Sequence, residues 1–431
     1  MTIAPAPFTA APSPPSRGIR DTGIDFVRAL CVIGVVLLHA IMVGVTVTDG
    51  GPVFANASEG SAWITPLSWA LQVMPLFFVI GGFSGLIAYR RARERGGSAR
   101  SFVAARLHRL LRPAAVTIGV VALALAVLTV LGVPADLLAI AGFRYGQPLW
   151  FLAVFLMCQA LLPALASAHD RAPLRTIGLL AFAAITVDGL RATIGIDAVG
   201  FLNLAFVWMA LQQLGFFLAD GRIDALSRRT RAVAGLIALG VLILTFVTGI
   251  YSPDLIANIN PPTAALLLVG VVHTSALSLL RDRLERISRR PVPSALTAFV
   301  TPRTMSIYLW HMPVLLVMAG ITAMSALIGG HGLPALGTLD WWAARPLWLA
   351  LALGLTALVA VSTARFERLP APDCSTSSAR VGTAVLLGLL GVLLLLVLGT
   401  SVATAAIALA LVLPALRLAQ TRSSAARSAV G

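Results

Sequence analysis

The chain reads as long apolar runs divided by short polar connections. Runs near the ~20 residues that a helix needs to cross a bilayer occur at about 24–45, 64–89, 113–133, 148–168, 174–190, 199–219, 232–250, 263–280, 303–328, 346–364, 381–399 and 401–417. Only Gly399-Thr400-Ser401 separates the last two, so they read either as a pair or as one long helix. The pattern predicts an all-α, polytopic transmembrane bundle of about 12 helices. Residues 1–16, rich in Pro and Ala and with no basic start before an apolar stretch, read as a loose tail rather than a signal peptide.

Arginine placement sets the orientation. Cytoplasmic connections retain basic residues and translocated ones shed them. With the N-terminus inside, twelve crossings put 29 of the 32 arginines on the cytoplasmic side and leave only Arg144, Arg191 and Arg345 outside. An eleven-helix count would put the C-terminal arginines on the wrong side. Both termini are therefore expected in the cytoplasm.

Composition sharpens this picture. Apolar residues make up 58% of the chain, charged residues 11%, and mean hydropathy is +0.92, whereas a soluble domain carries roughly 25% charged residues. The net charge of +15 comes entirely from arginine, with no lysine, in clusters between apolar runs. It therefore reads as membrane topology, and no nucleic-acid partner is expected. Three cysteines, two of them inside apolar runs, do not make a disulfide framework. The all-arginine, Ala-rich composition suggests a GC-rich bacterial genome and hence a multi-pass protein of the bacterial plasma (inner) membrane.

Ionisable groups inside a membrane span are costly and mark functional candidates. The first span carries Asp25, Arg28 and His39. At 100° per residue, Arg28 and His39 share one face, and at 1.5 Å per residue His39 lies ~16 Å deeper. A neutral imidazole is both the cheapest ionisable group to bury and the commonest general base. The residues alone leave open whether His39 is that base or a satisfied polar contact in the bundle. The ninth span brings Ser306, Tyr308 and His311 into an apolar helix, as a second base, substrate contacts or packing groups. Arg106 and Arg109 are three apart and share a face if helical, which suits phosphate as well as topology. Phe77, Phe78 and Phe83 read as packing, and the Trp341-Trp342 pair as an interfacial anchor. His108, His169, His273 and His331 lack metal-ligand spacing, so no metal is expected.

Several motifs in order give the chain a family resemblance. Asp25-x-x-Arg28, ten residues and His39 resemble the first helix of the acyltransferase-3 family of integral membrane acyltransferases. Met74-Pro75-Leu76-Phe77-Phe78-Val79-Ile80-Gly81-Gly82-Phe83 is similar to the family's FFVxSGF helix, with Gly81 where Ser is usual. The stretch from Arg106 through Arg109 and Arg112 to Pro113 resembles the basic segment before the third helix. Trp150 opens the fourth span in the family manner, Ser306, Tyr308, His311 and Pro313 resemble the late SxYLxHxP motif, and Glu367 with Pro370 the closing Glu–Pro motif.

The resemblance implies transfer of an acyl group, commonly acetyl, from acyl-CoA to a hydroxyl of a carbohydrate, glycolipid or secondary metabolite. Acyl-CoA would be a donor substrate, with no permanently bound cofactor. It also implies catalytic roles for His39, Arg28, Asp25 and His311, and substrate contacts for Arg106, Arg109, Tyr308, Ser306, Trp150 and Glu367. Residues 17–372 are expected to form the ten-helix acyltransferase domain, 373–417 a C-terminal helix pair and 418–431 a basic cytoplasmic tail, without the extracytoplasmic esterase-like domain of some relatives. The rival is a twelve-helix secondary transporter or flippase, which shares this topology. Against it, no feature of residues 1–215 repeats in 216–431.

Overall fold

The computed structural model describes residues 21–48, 51–370 and 372–421. The expected tail over 1–16, together with Arg17, Arg20, Arg422 and Arg427, lies outside the described residues. In chain order the elements are α1 (Thr22–Met42), β1 (Val43–Thr48), β2 (Gly51–Asn56), α2 (Ile64–Leu71), α3 (Met74–Glu94), α4 (Ala99–Val130), α5 (Ala135–Gly146), α6 (Leu149–Arg171), α7 (Pro173–Ile194), α8 (Asn203–Ala219), α9 (Arg228–Val247), α10 (Ala265–Ser288), α11 (Pro291–Val300), α12 (Thr304–Gly329), α13 (Leu339–Arg368), α14 (Ser378–Leu398) and α15 (Val402–Leu418). Eleven helical segments are long and apolar enough to cross a membrane, and α15, with 17 residues, is a shorter apolar helix. Together they give a polytopic helical bundle with the twelve crossings that the arginines require.

The structure corrects several element boundaries. The first helix stops at Met42, because Val43-Gly44-Val45-Thr46-Val47-Thr48 is rich in β-branched residues. It pairs antiparallel with β2, from Val43 opposite Asn56 to Thr48 opposite Gly51. The second run, 64–89, is two helices, broken at Gln72-Val73 ahead of Pro75 at the start of α3. The third helix begins fourteen residues before the expected 113, so its arginines form its opening turns rather than a preceding segment. Ser98 starts it with a capping box to Ser101. The α5 and α11 helices lie in connections that hydropathy left unassigned. Gly399, at φ 73°, separates α14 from α15, which settles them as two helices.

Within the bundle, α1 is central and packs against α3, α10, α11, α12 and α13. It buries 61% of its apolar window, whereas α7 and α9 bury 11% and so face lipid. Asp21 caps α1 by accepting from the Ile24 amide at 2.9 Å and also pairs with Arg281 of α10 at 2.6 Å. Arg281 in turn pairs with Asp224. These contacts fix the depth of α1, and with it the depth of every group it carries.

The α3 and α8 helices cross in close contact. In a membrane, helices associate by close van der Waals approach over small residues rather than by hydrophobic exclusion. Gly82 and Gly215 meet there reciprocally: a Cβ on Gly82 would run into the Gln212 carbonyl oxygen, and one on Gly215 into the Val79 carbonyl oxygen. Neither obstacle is a flexible side chain. Gly82→Ala or Gly215→Ala is therefore expected to destabilise the protein by about 1–3 kcal/mol. Gly189→Ala, where an added Cβ meets nothing within 4 Å, should be neutral or stabilising. Thermal midpoints of the purified variants in detergent check the contrast.

Candidate active site

The helical period places Arg28, Val32, Val35, Val36, His39 and Met42 along one face of α1, and all six line a single cavity of about 1520 Å³. The face shared by Arg28 and His39 therefore borders a chamber rather than hydrocarbon. Other walls come from α3, α4, α5, α6, α12, α14 and the β1–β2 hairpin.

At the cytoplasmic end, Arg28 pairs with buried Asp25 at 3.2 Å and donates to Ser84 Oγ of α3 at 2.6 Å. Ser84 Oγ donates in turn to the Ile80 carbonyl at 2.8 Å. Gly81, where the family's usual serine is missing, also lines the cavity. Ser84 stands three residues on along the same helix and supplies a hydroxyl near that site. Arg106 and Arg109 line the chamber as well, and Arg106 lies close enough to both Arg28 and Arg109 to feel their charges. The Arg106 guanidinium rests over the Phe102 ring at 5.0 Å. Neither Arg106 nor Arg109 has a carboxylate partner among the described residues. Three guanidiniums thus face one carboxylate, which leaves excess positive charge suited to a multiply charged anion.

At the other end, ~16 Å along α1, His39 lines the chamber. Its Nδ1 lies 2.8 Å from the Val35 carbonyl oxygen. A carbonyl only accepts, so Nδ1 carries the hydrogen and Nε2 holds the lone pair. His311 stands behind it, with ring centroids 4.9 Å apart and planes at 59°. By the same reasoning His311 Nδ1 donates to the Tyr308 carbonyl at 2.5 Å. His311 is fully buried, its Nε2 has no hydrogen-bond partner among the described residues, and it does not line the cavity. It supports the His39 ring from behind.

The remaining candidates divide. Tyr308 lines the cavity, but its hydroxyl donates to the Pro148 carbonyl at 2.7 Å, tying α12 to the start of α6. Trp150 lines the cavity and stacks on Trp208 at 5.4 Å. Phe77 joins that wall beside Phe151 and Phe155, whereas Phe78 and Phe83 are core. Ser306 and Glu367 lie away from the chamber. Glu367 accepts from the amides of Met305 and Ser306 at 3.2 and 3.0 Å and from Ser306 Oγ at 2.9 Å, so it caps the free N–H groups opening α12. Trp341 is no interfacial anchor: it is buried against Trp63 and the Arg345 guanidinium.

Sequence reasoning did not single out Ser84, Gln72 or Arg144, three of the polar residues that line the cavity. A hydroxyl at i+3 from Gly81 inside a span was the available signal for Ser84. Gln72, which lines the cavity and donates to the Leu255 carbonyl at 2.8 Å, marks the break before Pro75. Arg144 was visible only as an arginine on the outer side.

Fold and site together define an integral membrane protein whose central helix presents a histidine and an arginine to one intramembrane chamber, which two arginines of α4 also line. The acyltransferase-3 family, described as an acyltransferase domain, matches residues 21–365, and the chain belongs to that family. It is a membrane acyltransferase. No curated protein and no solved structure shows significant similarity to the chain.

The capping geometry assigns Glu367 a measurable role. Glu367→Gln removes the charged cap of α12 and is expected to lower stability by about 0.5–2 kcal/mol, seen as a lower thermal midpoint. Ser306→Ala, which removes one of three bonds, should lower it less. A raised KM at an unchanged midpoint would instead make Glu367 a substrate contact.

Proposed function

We propose that the protein transfers an acyl group, acetyl in the simplest case, from acyl-CoA to a hydroxyl of a carbohydrate, glycolipid or small molecule. The observation carrying this reading is one continuous chamber joining Arg106 and Arg109 at its cytoplasmic end to His39 in the outer half of the membrane. Coenzyme A has phosphates at one end and its thioester at the other, with an extended pantetheine arm between them, which suits a binding site of this length. The phosphates bind Arg106 and Arg109, and the arm passes Arg28.

His39 Nε2 takes the proton from the acceptor hydroxyl as its oxygen attacks the thioester carbonyl. The tetrahedral adduct collapses with cleavage of the C–S bond. The CoA thiolate then recovers the proton from the imidazolium, leaving an ester and free CoA. Arg28 is too far from His39 to hold the oxyanion, so its contribution is to donor binding. Tyr308 has its proton committed to Pro148 and shapes the wall beside the reacting carbonyl.

Radiolabelled acetyl-CoA and isolated membranes test the reading, since an enzyme leaves label covalently on an acceptor and a carrier does not. His39→Ala is expected to reduce transfer by about 10²–10⁴-fold with normal amounts of folded protein. Full activity in that variant would overturn the mechanism. Arg109→Ala, at an exposed position, should raise the KM for acetyl-CoA about three- to tenfold, and Arg106→Ala, less exposed, should raise it more. An unchanged dependence on acetyl-CoA in both variants would remove the pair from the donor site.

A further inference from the structure

The chamber is far larger than an acetyl group requires, and its excess volume lies on one side. Beyond His39 it runs into an apolar compartment between the outer halves of α4 and α12, closed above by α5 and the end of α14. Several residues of this compartment are wide open to the surroundings: Val317 is 60% exposed, Ile321 65% and Met324 56%, all on α12. In a membrane-spanning helix such positions face lipid. The compartment therefore opens sideways into the outer leaflet.

Arg144 stands in the wall of this compartment near its outer end. The three arginines on the outer side differ in their partners. Arg191 pairs with Asp197 at 2.9 Å, and Arg345 lies against the rings of Trp341 and Trp348, at 3.9 and 5.1 Å, and donates to the Val43 carbonyl. Arg144 has neither carboxylate nor ring among the described residues; its one hydrogen bond is a 3.5 Å contact to Gln147 Oε1. A guanidinium at the outer surface, next to an apolar side door, complements a phosphate with a hydrocarbon chain attached.

We infer that the acceptor is a phosphate-bearing membrane lipid that enters sideways from the outer leaflet, its chain between α4 and α12, its phosphate on Arg144 and its headgroup hydroxyl toward His39. This deepens the proposed function and rests on it for the role of His39, but the lipid site itself stands on the cavity and Arg144. The donor's own chain does not satisfy both features, because the CoA phosphates are held at the opposite, cytoplasmic end of the chamber.

The test is photo-crosslinking of the purified full-length protein in lipid nanodiscs. The probes are phosphatidic acid and phosphatidylcholine, each with a diazirine in one acyl chain, and adducts are mapped by mass spectrometry. Phosphatidic acid should label residues 317–327 of α12 and 121–128 of α4 above the lipid-facing surface of α9. Arg144→Gln should lower that labelling about three- to tenfold, as expected for loss of a partly exposed charge-assisted contact, and Arg144→Lys should restore part of it. Gly320→Phe should block labelling by both probes. Gly320 lines the compartment and an added Cβ there meets nothing within 4 Å, so the ring fills space without displacing the helix. Unlabelled polyisoprenyl phosphate and phosphatidylglycerol, compared as competitors, tell an isoprenoid carrier from a glycerophospholipid, and displacement by either supports the site.

Labelling spread evenly over all lipid-facing helices, or insensitive to both Arg144→Gln and Gly320→Phe, overturns the inference. So does selective labelling of the compartment by a diazirine-bearing palmitoyl-CoA that phosphatidic acid does not displace. The His39→Ala protein should retain the label. Selective labelling without acyl transfer would sink the enzymatic reading and leave the lipid site, whereas transfer to a water-soluble glycan with even labelling would do the reverse.

Discussion

Everything in this structure follows from one constraint: a charged or hydrogen-bonding side chain inside hydrocarbon must find a partner or face a solvated space. The α1 helix breaks the apolar pattern at Asp25, Arg28 and His39, and the bundle is arranged around those three groups. Asp25 neutralises Arg28, Ser84 takes one of its donors, and the Val35 carbonyl takes the Nδ1 proton of His39. Beyond these contacts, Arg28 and His39 both border the chamber. Because α1 is the central helix, the chamber is central too, and α7 and α9 are left to face lipid. The Asp21–Arg281–Asp224 cluster holds α1 at fixed depth.

The arginines serve two purposes, told apart by their partners. Arg90 joins α3 to the ends of α6 and α8 through Asp170 at 2.8 Å and Asp220 at 2.5 Å, and buried His169 shares Asp220. Arg231 donates to Ser278 at 2.6 Å, joining α9 to α10. These are fasteners at the cytoplasmic ends of helices, and their charge is spent within the protein. Arg106 and Arg109 have no such partner, so their field is directed into the chamber. A positive-inside bias explains why arginines lie on the cytoplasmic side.

The sequence made the bundle legible because length and hydropathy decide membrane crossing almost alone. The number of crossings and the shared face of Arg28 and His39 could be read directly from 20-residue runs and the 100° period. The β1–β2 hairpin, α5 and α11 could not, since they lie in connections where hydropathy carries no topological information. Site chemistry was legible only along a single helix. That His39 meets His311 depends on how α1 packs on α12, and that Ser84 meets Arg28 depends on how α1 packs on α3; neither packing is encoded by spacing. The same limit explains Ser306 and Glu367. Polar residues in a span draw attention, but only the assembled structure reveals that these two satisfy one another at the start of α12.

The two histidines illustrate why position, rather than residue type, assigns chemistry. Both have Nδ1 tied to a backbone carbonyl and a lone pair on Nε2, so as isolated imidazoles they are equivalent bases. They differ in access. His39 borders the chamber, where a hydroxyl can approach, while His311 is sealed behind it. In the proposed mechanism His311 therefore acts through His39, as a positioning residue. Its ring packs against the imidazole of His39. The cost is an Nε2 in the core with no hydrogen-bond partner among the described residues, of the kind a membrane protein retains where the buried group serves the site.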